Sequence, residues 1–215
     1  MELREKAIQL LKGFKKDDYV FGLDKLEEIG RIAHQYGESA LVISNTTYLK
    51  TVADRVIKSL DRYGIELASG AIVPDAKPNS PSDDVYRLET YILHFQPDCI
   101  IAIGGGSTID AVKAANVLAS LGEYSPEVES YFGTGLVSKA LEKTGKKLWP
   151  LIAIQTAASS GSHLRKYANV TDPVAKQKKI IVDEAIVPVK ALFDYQVTIS
   201  IPSELTMDGA EHWMG

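Results

Sequence analysis

The stretch "CIIAIGGGSTIDAVKAAN", residues Cys99 to Asn116, sets an apolar run directly before three glycines and a helical pattern. Cys99 to Ile103 reads as a strand buried on both faces, because a strand with one wet face alternates apolar and polar residues. Such a strand is central and parallel in its sheet. Gly104, Gly105 and Gly106 are expected to reach positive φ and to let a ligand approach the backbone without meeting a Cβ. Ser107 or Thr108 is expected to cap the following helix, with Ile109, Val112, Ala115 and Val117 or Leu118 on its inner face. Unpaired N–H groups and the positive end of the helix dipole then point into the glycine turn, which suits a phosphate. The plainer reading of the same residues is a tight strand-to-helix turn without a ligand.

Outward from this junction, helical and strand patterns alternate. "GLDKLEEIGRIAHQYG" (22–37) has Leu23, Leu26, Ile29, Ile32 and Ala33 at helical spacing, and "ALVIS" (40–44) follows as a short buried strand. "TYLKTVADRVIKSLDRYG" (47–64) is a second amphipathic helix, and "IELASGAIV" (65–73) carries a strand. "PDAKPNSP" (74–81) is a loop, since its prolines fit neither a helix interior nor a central strand. "SDDVYRLETYILHF" (82–95) returns as a helix capped by Ser82. Leu121 to Lys147 is less regular, and strands are expected at "LIAI", "YANV", "KKIIV" and "ALF". The pattern predicts an α/β fold, a Rossmann-like parallel sheet with helices on both faces and ligands at the carboxyl ends of its strands.

Composition narrows the function classes. The chain has 215 residues, 45% of them hydrophobic, which is enough for a sizeable core. A net charge of −4, with lysines scattered among acids, argues against a nucleic-acid surface. One cysteine excludes an intramolecular disulfide framework, and Cys99 within the strand reads as a small buried hydrophobe. The charged N-terminus lacks the apolar core of a signal peptide, and no apolar run approaches the length of a membrane span. The cytoplasm is the expected compartment.

Taken in order, "FG" (Phe21, Gly22), "LVISN", "PDAKPNSP", "DCIIAIGGGSTIDAVKAAN", "LIAIQTAASSGSH", "VTD", "KK" and "SIPSELTMDGAEH" resemble the nucleotide-binding half of the iron-containing, or group III, alcohol dehydrogenases. The most specific element is the glycine turn with Asp110 and Lys113 one helical turn apart, coupled to the Thr/Ser-rich loop Thr156 to Ser162. Glycerol dehydrogenases and dehydroquinate synthases share the turn, so a glycerol dehydrogenase-like enzyme is an alternative. The "PNSP" and "QTAASSGS" loops resemble the alcohol dehydrogenases more. The resemblance implies hydride transfer between NAD or NADP and a small alcohol or aldehyde, with Fe²⁺ or Zn²⁺ polarising the substrate oxygen in a homo-oligomer. A catalytically inactive nucleotide-binding module is the other alternative.

The resemblance also assigns residues. Gly104, Gly105, Gly106 and Ser107 would hold the pyrophosphate, and Asp110 would orient the turn or reach the nicotinamide side. Thr156, Ser159 and Ser160 would offer hydroxyls along the cofactor, with Gly161 permitting close approach, and Lys179 would lie near it. Many relatives carry an aspartate after the first strand for the adenosine ribose; here Asn45 stands, and an amide does not repel a 2′-phosphate, so NAD and NADP both remain open. His163 takes the place of a frequent glutamate and reads as loop surface, as His34 and His94 read as helix flank. The implied metal donors are Asp208 and His212, four residues apart and so on one helix face, with two further histidines expected from a following all-helical domain. An ungapped register instead sets His212 where the family's aspartate stands. The domain boundary is expected near 202, with 203–215 opening the helical domain. Ile199, Ile201, Leu205, Met207 and Trp213 would then be left open to water and favour self-association.

Overall fold

In this computed structural model, residues 2–157 and 160–199 are described. Ser159, Asp208, His212 and the 203–215 segment expected to open a helical domain lie outside them, as do Ile201, Leu205, Met207, Trp213 and the side chain of Ile199. In chain order the strands are β1 (Tyr19–Gly22), β2 (Ser39–Ser44), β3 (Glu66–Leu67), β4 (Val73–Pro74), β5 (Cys99–Gly104), β6 (Gly133–Thr134), β7 (Leu151–Gln155), β8 (Tyr167–Asp172), β9 (Gln177–Val182) and β10 (Lys190–Asp194). The helices are α1 (Glu2–Lys15), α2 (Ile29–Ala33), α3 (Lys50–Arg62), α4 (Ser82–Phe95), α5 (Gly106–Leu121), α6 (Leu136–Thr144) and α7 (Tyr195–Ile199).

The main sheet runs β1-β10-β7-β5-β2-β3, with β4 also on β2, and every pairing in it is parallel. Chain order reverses direction at β2/β5: the chain leaves β2 outward to β3 and β4, then returns across it to β5, β7 and β10. A ligand crevice opens at such a reversal, outside the carboxyl ends. Ser44 lies beside both Pro74 and Ile103, and Gly104 beside Gln155. Asn45, Asp75, Gly105 and Thr156 therefore follow four neighbouring strand ends on one edge of the sheet.

Alternation along the buried strands divides the core. Leu41, Ile43, Ile100, Ala102, Leu151 and Ala153 face α4 and α5, whereas Val42, Ile101, Ile103, Ile152 and Ile154 face α2 and α3. Cys99 is buried as expected, and burial pushes its thiol up to about 12. The expected inner face of α5 is buried, but so is every residue from Thr108 to Leu121. The sheet covers one side and α4, α6 and the β8–β9 hairpin the others. Its many alanines suit a helix enclosed all round.

Three local expectations are corrected. The helix expected over 22–37 is a 3₁₀ turn at Lys25–Glu28 followed by the short α2, with Asp24 left-handed at φ 55 and Leu23 exposed. "IELASGAIV" yields only the two-residue strands β3 and β4. Ser82 is the first residue of α4 rather than its cap; Pro81 takes that place, and no side chain caps the helix. Unanticipated elements are β1, at the sheet edge, and β6 and α6 within 121–147.

Candidate cofactor site

The glycine turn works differently from its sequence expectation. None of Gly104, Gly105 and Gly106 has a positive φ; Gly105 is extended at φ −87, ψ −166. What they supply is room. A Cβ on Gly104 would lie 2.6 Å from Thr108 Cβ, and one on Gly106 would lie 2.7 Å from Ser160 Oγ. Around Gly105 the only described atom within 4 Å of such a Cβ is Ala157 Cβ, at 3.8 Å, so among the described residues this position has room for a side chain.

Neither Ser107 nor Thr108 caps α5; Gly105 holds the cap position and no side chain closes the helix. Ser107 Oγ instead accepts the N–H of Asn79 (3.0 Å), and Ser80 Oγ donates to the Ser107 carbonyl (2.7 Å). Thr108 Oγ1 donates to Asp75 Oδ2 at 3.1 Å. The first turn of α5 thus keeps its N–H groups for an outside acceptor, with the positive dipole end in the crevice. A phosphate fits this donor set.

Asn45 closes β2 but is engaged. Its Oδ1 accepts the N–H groups of Thr47 (3.0 Å) and Tyr48 (2.7 Å), and its Nδ2 donates to Asp75 Oδ1 at 3.3 Å. Asp75, which the sequence reading passed over inside a proline-rich loop, thereby bridges the end of β2 and the start of α5. Burial raises its carboxyl pKa, against the hydrogen bonds from Thr108 and Asn45.

The Thr/Ser-rich loop meets the turn from the other side. Thr156 N donates to the Gly104 carbonyl (3.0 Å), and Gly161 is left-handed at φ 63 with Arg165 packed over it. Lys113 reaches this loop from the interior of α5. Its ammonium, 1% exposed, donates to the carbonyls of Ser162 (2.7 Å), Arg165 (2.7 Å) and Tyr167 (2.8 Å), using all three N–H bonds. Burial brings its pKa down to about 8, partly opposed by Asp110. Asp110 Oδ2 accepts both the backbone and side-chain N–H of Asn169 at 3.0 Å, while its Oδ1 is buried without a partner. Asp110, Ser160, Ser162, Tyr167 and Asn169 line a hollow of about 250 Å³.

His163 is a correction: it is buried, not surface. Both ring nitrogens are enclosed without a hydrogen-bond partner, and the ring sits between Tyr19 (5.5 Å) and Phe193 (6.2 Å). Burial first, and then Lys113, lower its pKa to about 4. His34 and His94 are exposed, as expected. Asn45, Gly104, Gly105, Gly106, Ser107, Thr156 and Ser160 gather along the carboxyl edge. Lys179 pairs with Val170 on β9, and its amine lies 5.6 Å from the Phe132 ring centroid. Among the described residues, no group of three or more His, Cys, Asp or Glu could hold a metal ion, and no helix is long and apolar enough to cross a membrane.

The profile of the iron-containing alcohol dehydrogenases matches residues 17–195. The chain belongs to that family. The NAD-dependent methanol dehydrogenase of Bacillus methanolicus is 28% identical over 199 residues, covering 90% of this chain and 49% of that enzyme. The NADPH-dependent butanol dehydrogenase of Clostridium saccharobutylicum is 24% identical, covering 91% and 48%. The crystal structure of an iron-containing alcohol dehydrogenase from Thermotoga maritima superposes with a TM-score of 0.74 at 28% identity, over 89% of this chain and 50% of that one. The chain spans about half the length of the curated relatives it matches. The matched half of that crystal structure shares this fold.

Proposed function

We propose that this chain carries the dinucleotide-binding half of an NAD(P)-dependent alcohol dehydrogenase acting on a small alcohol or aldehyde. The observation that carries the reading is the uncapped start of α5, with Gly105 uncrowded by the described residues, where the strand order reverses. The N–H groups of Gly106 and Ser107 would hold the pyrophosphate, and Gly105 would let it approach. Thr156 and Ser160 would offer hydroxyls beyond the turn, and Asn45 with Asp75 would bound the adenosine end. Bound there, the nicotinamide supplies or accepts the hydride. The chain's own part is to fix the dinucleotide along the carboxyl edge, with Lys113 holding the Ser160–Tyr167 loop in register. The family's metal would be held by Asp208 and His212 together with donors from a helical domain.

Fluorescence titration of the chain with NADH and NADPH tests this. Saturable binding of at least one dinucleotide, lost in Gly105→Val with the thermal transition retained, is the expected result. Absence of binding by either would refute it. Aldehyde reduction with added Fe²⁺ or Zn²⁺, run beside the titration, separates a working dehydrogenase from a module that binds without turnover.

A further inference from the structure

The sequence leaves the choice between NAD and NADP open because Asn45 stands where a ribose-binding acid is common. The folded chain brings a different acid to that place. Asn45 is not available to a ligand through its oxygen, which holds the Thr47 and Tyr48 N–H groups, and its amide nitrogen donates one hydrogen bond to Asp75. Asp75 directly follows β4, the strand beside β2, and its two oxygens accept from Asn45 Nδ2 and Thr108 Oγ1. The bonds accepted on its two oxygens favour the carboxylate, against the burial that raises its pKa, and a carboxylate has about four acceptor positions, so two remain for incoming hydroxyls. The group is half-buried, at the mouth of the crevice between the end of β2 and the first turn of α5.

Two nearby cations, Arg87 and Lys50, are occupied, while Lys77 is exposed two residues from Asp75. Arg87 donates to Asp84 Oδ1 and to the carbonyls of Pro74 and Asp75, and Lys50 pairs with Asp54 at 2.7 Å. A 2′-phosphate, with a charge of about −1.5 to −2, would thus meet a carboxylate, whereas a ribose diol would find two open acceptors.

We propose that Asp75, rather than the residue closing β2, reads the adenosine ribose and selects the cofactor with a free 2′-hydroxyl. This rests on the reading of the glycine turn as a dinucleotide site. The negative charge is supplied from the end of the strand beside β2, and Asn45 serves as its hydrogen-bonding support.

The test is a paired titration of the full chain with NADH and NADPH at pH 8, on the wild type, Asp75→Asn, and the double variant Asn45→Asp/Asp75→Asn. The wild type is expected to favour NADH at least about 10-fold, a difference that narrows at high salt because like-charge rejection is screened. Asp75→Asn should lose most of that preference, chiefly by gaining NADPH affinity, and the double variant should recover it by returning the charge to position 45. A structural role for Asp75 would weaken both cofactors equally and would not be rescued; that result overturns the proposal. So does a wild type that favours NADPH, which can be read even if the variants fail to fold. Failure of the wild type to bind either dinucleotide overturns the glycine-turn reading itself and the proposal with it, whereas NADH binding with an unchanged ratio in Asp75→Asn overturns the proposal only.

Discussion

Two loops meet at the carboxyl edge of the sheet, and they are held in opposite ways. The glycine turn, 104–107, is set by its own backbone: β5 leads in, α5 leads out, and no side chain caps the helix between them. The Thr/Ser-rich loop is held from a distance. Lys113 grips the carbonyl of Ser162 at its end and those of Arg165 and Tyr167 beyond it, Asp110 fixes Asn169 further along, and His163 wedges the segment against Tyr19 and Phe193. The lesson is that one α5 helix builds both walls of the site. Its first turn offers N–H groups to the ligand, and its buried polar side chains position the facing loop.

Gly105→Val strikes the first wall and has the largest expected effect. Its extended backbone accepts a β-branched residue, so the fold should persist, and the side chain would enter the space facing Ala157. We expect dinucleotide affinity to fall about 1000-fold, roughly 4 kcal/mol, in the NADH titration. A thermal transition that drops sharply instead would place the turn among the chain's structural supports and erase the contrast between the loops.

Lys113→Met strikes the second wall from inside. It keeps the stem but leaves the Ser162, Arg165 and Tyr167 carbonyls without their shared donor. Losing a buried, charged donor in this way costs roughly 3 kcal/mol. Urea denaturation should show that loss, and limited proteolysis should cut first between 157 and 167. Unchanged protection of that segment would mean the loop holds itself.

His163 sharpens the comparison through pH. Its pKa is lowered from 6.5 to about 4, so across that interval the unfolded chain binds a proton that the folded chain does not. Stability is therefore expected to be lost as pH falls from about 6.5 to about 4, by up to roughly 3 kcal/mol. Phenylalanine suits the place between Tyr19 and Phe193, and it brings no nitrogen to protonate. His163→Phe should flatten this part of the stability–pH curve, and a curve that keeps its slope would assign the acid sensitivity to other groups.

How much of this was legible follows the same division. The order strand, glycine turn and helix could be read because all of it lies in one continuous stretch, Cys99 to Asn116. The α/β alternation could be read because each buried strand is an apolar run. The edge strand β1 is only four residues, too short for a period to declare itself. The helix expected over 22–37 had the right apolar spacing, but Asp24 turns left-handed and the chain tightens into a 3₁₀ turn. In the site, Lys113 was visible as part of a motif, yet its partners are backbone carbonyls about fifty residues away and leave no mark in the sequence. Asp75 and His163 were obscure for a related reason. Their surroundings, Asn45 and Thr108 for one, Tyr19 and Phe193 for the other, come from distant segments that only the sheet order brings together.

Ser107→Ala is the smallest and most discriminating change. The hydroxyl accepts from Asn79 N, so its removal leaves one exposed backbone N–H to water, a cost of about 1 kcal/mol or less. The 78–81 loop should stay in place, because Ser80 Oγ still donates to the Ser107 carbonyl and Thr171 still donates to the Asn79 and Ser80 carbonyls. If the turn acts through its backbone, dinucleotide affinity should fall less than about 10-fold, or roughly 1.4 kcal/mol. A loss approaching that of Gly105→Val would make the Ser107 hydroxyl, rather than the N–H groups of α5, the principal phosphate contact. The first wall of the site would then also depend on a side chain.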